Sequence, residues 1–323
     1  MLAAVATRAD PNDPLAGLRV GDWREPVAPP GWTMVTVRAA GLNHHDLWTL
    51  RGVGITDEQL PVVLGVEAAG IDDQGNEVLV YPVIGDPLDG DGDETFDPAM
   101  ALLSVEHDGT FAERICVPQG NLVPKPAGMS FEEAACLPGA WLTAYRMLFD
   151  RSDVPVGGTI LVQGAGGGVA TALLLLGAAA GYRMWATSRS AERRDRAVRL
   201  GAEAAFEPGA RLPAKVDAVM ETVGAATWDH SLRAVRPGGR VVVCGATSGA
   251  FPPIDLKRVF YRQISVVGST LGTRRQLERL ARFCETTGVR PPLHEVLPLS
   301  RARSGFAAMA AGSVFGKIVL TVD

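Results

Sequence analysis

Cysteine is scarce in this chain: four residues in 323, at Cys116, Cys136, Cys244 and Cys284, with no C-x-x-C pair among them. That scatter excludes a disulfide framework and a cysteine-built zinc knuckle as readings of the sequence, and a reducing cytoplasm is the expected compartment. Basic runs are also missing. The net charge is −5 and aromatics make up only 6%, so nucleic acid is excluded as an expected partner. The longest apolar run, Val169 to Ala180, is too short to cross a bilayer, and residues 1–8 lack the basic start and apolar core of a secretory signal. A protein without membrane association is expected. Several catalytic signatures are absent too. There is no H-E-x-x-H, and Gly245-Ala-Thr-Ser-Gly249 only approximates a G-x-S-x-G elbow. The acidic segment 85–94 alternates Asp89, Asp91 and Asp93 like a calcium loop. It has Glu94 where glycine is needed and Met100 where the closing glutamate belongs, so it reads as a solvated loop.

What the chain does have is a glycine cluster in an informative context. Thr159 to Val162 is a short, β-branched apolar run that reads as a buried parallel strand. It ends at Gly164, Gly166, Gly167 and Gly168, and a run of small and apolar helix formers follows from Val169 to Ala180. Strand, glycine turn and helix together form a diphosphate site. Glycines allow close backbone approach, and the helix start offers free N–H groups at the positive dipole end. The turn holds no lysine, which excludes a P-loop. A dinucleotide is therefore the expected cofactor. The next strand, Arg183 to Ser188, ends without the Asp or Glu that would bind a ribose 2′-hydroxyl. It runs instead into Ser188, Arg189, Arg193 and Arg194. Forked guanidinium donors suit a 2′-phosphate, so NADPH is favoured over NADH. The alternative is a solvated helix face, since Glu192 and Asp195 are interleaved with these arginines.

The periodicity predicts an α/β protein. Residues 1–125 read as β-rich, with strands at 34–38, 77–81 and 111–117. A helical stretch at 131–149 is interrupted by Pro138-Gly139. From residue 157 strands at 159–163, 183–188, 204–206, 216–221, 240–244 and 264–268 alternate with helices at 168–180, 191–200 and 226–235. That is the pattern of a doubly wound parallel sheet. A helix at 274–286 and a strand at 317–322 close the chain. The implied domains are 1–125, 126–268 and 269–323.

Several stretches, in order, carry a resemblance: Ala40-Gly-Leu-Asn-His-His-Asp46, Leu64-Gly-Val-Glu-Ala-Ala-Gly70, Leu142-Thr-Ala-Tyr145, the glycine turn, Leu200-Gly-Ala202, Arg236-Pro-Gly-Gly-Arg240 and Gly316-Lys-Ile-Val-Leu320. Together they resemble the medium-chain dehydrogenase/reductase superfamily, in particular its zinc-free, quinone-oxidoreductase-like branch. The resemblance implies a GroES-like β-rich catalytic domain built from the N-terminal part plus the C-terminal tail, with a Rossmann domain holding NADP(H) between them and the active site in the cleft. It gives Gly164, Gly166, Gly167, Gly168 and Val169 to the diphosphate, and Ser188, Arg189 and Arg193 to the adenine ribose end. Gly245, Thr247, Ser269 and Thr270 go to the nicotinamide end, with Thr143 also among the cofactor contacts. It also implies a homodimer paired along 264–268.

Zinc-dependent relatives carry Cys, His and Cys ligands where this sequence has Asn43, Val66 and Gly139; only Glu67 of that signature remains. A catalytic zinc needs three donors such as Cys or His, so no metal is expected, a rearranged set of His45, Asp46 and Glu67 being the one alternative. Without a metal the resemblance implies hydride reduction of a quinone or an α,β-unsaturated carbonyl, a small electrophilic substrate. Asn43 is then the candidate donor to the carbonyl oxygen, and His45, Asp46 and Tyr81 are the proton-handling candidates. Structural roles stay open beside these: a fold-bracing Asp46 on Arg51, a helix-start His45, a core Tyr81. Two other functions also stay open, a metal-free alcohol/carbonyl oxidoreductase using His45, and a non-catalytic NADPH-binding protein.

Overall fold

The computed structural model describes residues 1–322 and divides the chain into two compact units, Met1–Ala140 with Thr273–Asp323, and Trp141–Gly272. These divisions fall later than the expected 125/126 and 268/269. Residues 126–140 are bound into the first unit by the Ala127 N–H, which donates to Glu285, and by Gly139 and Ala140, which donate to Glu67.

The second unit is a six-stranded, all-parallel sheet. Its order is Ala204–Phe206, Arg183–Thr187, Thr159–Val162, Val216–Glu221, Val235–Val243, Ser265–Gly268. The sequence of strands runs outward from Thr159–Val162 in both directions, which is the dinucleotide-binding order with its switch point at that first strand. Helices Gly168–Ala179, Ala191–Arg199 and Trp228–Ala234 agree with the expected spans to within a residue or two. Helix Gly168–Ala179 is apolar nearly all round because it is buried, with Leu173, Leu174 and Leu176 inaccessible. At Gly177 any Cβ would lie 2.4 Å from the Met184 sulfur, so the absence of a side chain sets how closely helix and strand pack. The fifth strand starts earlier than expected. Arg236 to Gly239 is not a free turn before it but an irregular excursion within it, between the pairings Val216–Val235 and Ala218–Arg240. Helix Leu256–Arg262 was not expected. Its apolar residues Leu256, Val259 and Phe260 have helical spacing, but the helix is only seven residues long and none of them is buried.

The first unit is built on a seven-stranded sheet with a smaller three-stranded one. Strand Trp32–Gly41 is its spine, pairing antiparallel with Ala68–Asp72, with Arg114–Pro118 and with the last strand, Lys317–Thr321. Val35, Val37, Leu64, Leu79, Phe111, Phe306 and Ile318 form the buried core. The last pairing positions the site. Val319 lies opposite Gly41 and the Leu42 N–H donates to Ile318 O, which brings Lys317 onto the loop just past the spine.

Candidate active site

In the second unit the glycine turn has the geometry its composition promised. Gly164 (φ 77°) and Gly166 (φ 134°) adopt conformations that L side chains rarely take. Helix Gly168–Ala179 starts at Gly167, which supplies no side-chain cap and around which a Cβ would meet open space. Val169 follows in the first turn. An uncapped helix start beside open backbone fits an anionic diphosphate.

The turn is held by a buried polar network. Thr187 Oγ1 accepts from the Gly164 N–H at 3.2 Å and donates to Gln163 Oε1 at 2.7 Å. Gln163 Nε2 donates to Ser231 Oγ, and Ser231 donates to Glu221 Oε2 at 2.6 Å. Glu221 Oε1 takes the N–H groups of Val223 and Gly224 and the Thr227 hydroxyl. His230 Nε2 faces the Ala210 carbonyl, which can only accept. The ring proton therefore sits on Nε2, and Nδ1 accepts from Gln163. This network ties the ends of three strands together. No sequence signal announces it, because its members are spread over some seventy residues with no recurring spacing.

At the expected ribose end, Ser188 is buried, Arg189 exposed and Arg193 half-buried. No ion pair engages Arg189 among the described residues. Arg194, by contrast, donates to Ser188 O and Arg189 O and pairs with Glu207. It braces the strand end, a role that its place in a run of charges had hidden. At the expected nicotinamide end, Gly245 is half-buried and Thr247 exposed. A Cβ at Gly245 would come within 3.0 Å of Thr222 O. Ser269 is buried and its hydroxyl has no partner, which leaves a polar atom for a ligand to satisfy. Thr270 is exposed and its carbonyl accepts from the buried Arg146; Thr143 is buried. The open glycine cradle and the orphaned Ser269 hydroxyl together fit a dinucleotide.

In the first unit Asn43 precedes helix His44–Leu50. Asp46, fully buried, takes the Asn43 N–H at 2.8 Å and the Gly65 N–H at 3.0 Å. It therefore braces backbone, not the side chain of Arg51. Burial, with the nearby Glu67 charge adding to it, pushes its carboxyl up to about 7 against the pull of those N–H groups and of Lys317. His45 is half-buried, with an unpartnered Nδ1, and burial holds its pKa below the usual value, so the ring is neutral at neutral pH. Tyr81 is 2% exposed, its backbone N–H and carbonyl both engaged by Asn121.

Lys317 joins the site although its place in the closing Gly316-Lys-Ile-Val-Leu320 signature implies no role for it. Its ammonium is buried and donates to Leu42 O (2.6 Å) and Asn43 Oδ1 (2.8 Å), and it lies 2.5 Å from Glu67 Oε1. Glu67 Oε2 takes the N–H groups of Gly139 and Ala140. A Cβ at Gly41 or Gly139 would stand within 2.2 or 2.4 Å of the Glu67 carboxylate. Zinc does not fit here. Asn43, Val66 and Gly139 offer no thiolate or imidazole, Glu67 fills the space that a side chain at 139 would need, and a lysine cation already neutralises it. Among the described residues no group of three or more His, Cys, Asp or Glu side chains could hold a metal. His45, Asp46 and Glu67 form no such set. The acidic loop uses its carboxylates locally, Asp93 on Thr95 and Asp97 on Asp86 and Ala99.

Comparison with known proteins agrees with this architecture. The alcohol dehydrogenase GroES-like domain matches residues 29–127 and the zinc-binding dehydrogenase family matches residues 168–286. A solved NAD-dependent alcohol dehydrogenase is 32% identical and superposes with a TM-score of 0.91 over 100% of both chains. The acryloyl-coenzyme A reductase of Metallosphaera sedula is 29% identical, covering 94% of this chain and 96% of its own. The crotonyl-CoA carboxylase/reductase of Cereibacter sphaeroides is 28% identical, covering 82% of this chain and 74% of its own. The chain belongs to the medium-chain dehydrogenase/reductase superfamily and is an oxidoreductase of that superfamily. No helix among the described residues is long and apolar enough to cross a membrane.

Proposed function

We propose that this protein is an NADPH-dependent, zinc-free reductase of quinones or α,β-unsaturated carbonyl compounds. The observation that carries this reading is the cluster at the zinc-ligand positions, where an amide donor backed by a buried lysine stands in place of a Lewis acid. Such a donor is suited to a carbonyl oxygen that gains charge when the conjugated double bond accepts hydride, a smaller demand than polarising an isolated carbonyl. Two relatives are named as an acryloyl-coenzyme A reductase and a crotonyl-CoA carboxylase/reductase, and both of those acyl groups are conjugated thioesters.

A bound nicotinamide would supply the hydride to the β-carbon. The π pair then moves onto the carbonyl oxygen as an enolate, and one proton is taken up at the α-carbon. Asn43 donates through Nδ2 to that oxygen. His45, neutral and half-buried, is the proton-handling group within reach of solvent. Asp46 and Tyr81, both buried, support the chemistry by holding the Asn43 loop and the strand end. Gly164 to Val169 hold the diphosphate, and Ser188, Arg189 and Arg193 read the 2′-phosphate. Gly245, Thr247, Ser269, Thr270 and Thr143 complete the cofactor contacts. In this reading the unit of residues 1–140 and 273–323 serves catalysis and the unit of residues 141–272 the nucleotide. The protein works in the cytoplasm, as a homodimer through strand Ser265–Gly268.

The test is a screen of the purified protein against an enone, a quinone and an aldehyde with NADPH and with NADH, following nicotinamide absorbance. Turnover of the enone or quinone with NADPH is expected; turnover of the aldehyde alone would overturn the reading. That outcome would favour metal-free alcohol/carbonyl chemistry, the reading that the 32% identical alcohol dehydrogenase structure supports.

A further inference from the structure

Asn43 is held at both ends of its side chain. Oδ1 accepts from Lys317 Nζ at 2.8 Å and Nδ2 donates to Gly41 O at 3.2 Å. The orientation follows from chemistry, because an ammonium can only donate and a carbonyl can only accept. One Nδ2 hydrogen then remains, and among the described residues nothing accepts it. Asn43 is half-buried whereas Lys317 and Glu67 are inaccessible, so its amide is the part of the cluster that a ligand can reach.

We propose that Lys317 is a positioning residue for the reaction, orienting and polarising the Asn43 amide so that its free N–H becomes a fixed donor to the substrate oxygen. This rests on Asn43 being the carbonyl donor. The ammonium donates to Leu42 O and Asn43 Oδ1 and is ion-paired with Glu67 Oε1, so three buried oxygens surround it. Glu67 is fixed in turn by two backbone N–H groups and by the glycines packed around it. A positive charge at Oδ1 draws electron density from the amide and strengthens its N–H as a donor, as chains of hydrogen bonds polarise one another. The cluster thus places a cation one amide away from the substrate, where zinc relatives bring a cation into direct contact.

Lys317→Met alone would leave Glu67 buried and unpaired, so the test uses the pair Glu67→Gln/Lys317→Met, which removes both charges. Asn43→Ala and the triple variant accompany it. Asparagine-selective 15N labelling gives only four side-chain amides, Asn12, Asn43, Asn76 and Asn121. The Asn43 Nδ2 protons are expected at distinct shifts in the natural protein and near free-amide values in the pair variant. Unchanged Asn43 signals would overturn the proposal whatever substrate is found. On activity, the pair variant is expected to lose about ten- to a hundredfold in kcat with the NADPH KM unchanged. The same two substitutions in the Asn43→Ala background should cost less than about twofold more. Equal losses in both backgrounds would make the lysine merely structural. If no enone or quinone is turned over, the functional reading fails while the amide signals still judge the positioning.

Discussion

Lys317 Nζ lies 2.5 Å from Glu67 Oε1, with the two side chains 2% and 0% exposed. A buried pair of this kind is worth little against an apolar replacement of both members but a great deal against the loss of one. Lys317→Met or Glu67→Ala alone should therefore lower unfolding free energy by about 3–5 kcal/mol. The pair Glu67→Gln/Lys317→Met should recover most of that loss, because Gln keeps an acceptor for Gly139 and Ala140. Urea unfolding of the three variants checks this. Additive losses in the double variant would show that the two groups do not compensate each other.

Asp46 gives a pH signature. Its carboxyl sits near 7 in the folded protein against an unperturbed 3.8. Between those values the folded state keeps a proton that the unfolded chain has released. Its contribution is thus fully present below about pH 4 and is lost as pH rises through about 7, by up to about 1.4 kcal/mol per pH unit. Asp46→Asn cannot titrate and should flatten this part of the stability profile, while losing one backbone acceptor at Asn43 N or Gly65 N. A difference between the two proteins that does not change from pH 4 to pH 7 would place the carboxyl elsewhere.

Arg189 and Arg194 should separate two kinds of arginine effect. Arg189 is exposed and unpaired among the described residues, so Arg189→Ala should weaken NADPH by about ten- to a hundredfold, about 1.5–3 kcal/mol, and leave NADH nearly unchanged. Arg194 holds the carbonyls of Ser188 and Arg189, so Arg194→Ala should weaken both cofactors together. Titration calorimetry with each nucleotide decides. An equal loss of both cofactors in Arg189→Ala would mean that the residue does not read the 2′-phosphate.

The nucleotide unit was legible because its signals are local. A β-branched run, a glycine turn and an apolar helix are contiguous from Thr159 to Ala179, and strand–helix alternation needs no long-range information. The cluster around Glu67 was not legible. It joins Gly41, Asn43, Glu67, Gly139 and Lys317 through strand pairing between the spine and the tail, and no spacing in the chain announces that. Asn43, Val66 and Gly139 mark the absence of zinc ligands, whereas the Lys317–Glu67 pair beside them depends on strand pairing between distant segments. Lys317 could have been suspected from one signal, a single charge at the head of an otherwise apolar closing strand.

On the metal, the purified protein should hold no stoichiometric zinc and keep its activity in strong chelator. Restoring ligands at Asn43 and Val66 alone, as Asn43→Cys/Val66→His, should not create a tight site, because Glu67 and Lys317 still fill it. Adding Gly139→Cys would force its Cβ to within 2.4 Å of the Glu67 carboxylate, so that variant should also unfold more readily. Elemental analysis giving one zinc per chain in the natural protein would reject this account.

Assembly follows from the edge of the parallel sheet. Strand Ser265–Gly268 pairs on one side with Val235–Val243 and ends the sheet on the other. Val266 is 44% exposed there, and Phe251, Leu256, Phe260 and Tyr261, from the segment just before the strand, are all exposed as well. An unpaired edge beside large exposed apolar side chains is an invitation to association unless a specific partner covers it. The proposed partner is a second copy related by a two-fold axis, which would pair edge with edge and bury both patches. The natural protein should therefore run as a dimer at micromolar concentration by light scattering. Val266→Glu should yield monomers with an unchanged folded spectrum, since the substituted side chain already faces outward. A natural protein that is monomeric under those conditions would remove the two-fold pairing. A dimer that survives Val266→Glu would move the interface away from this strand.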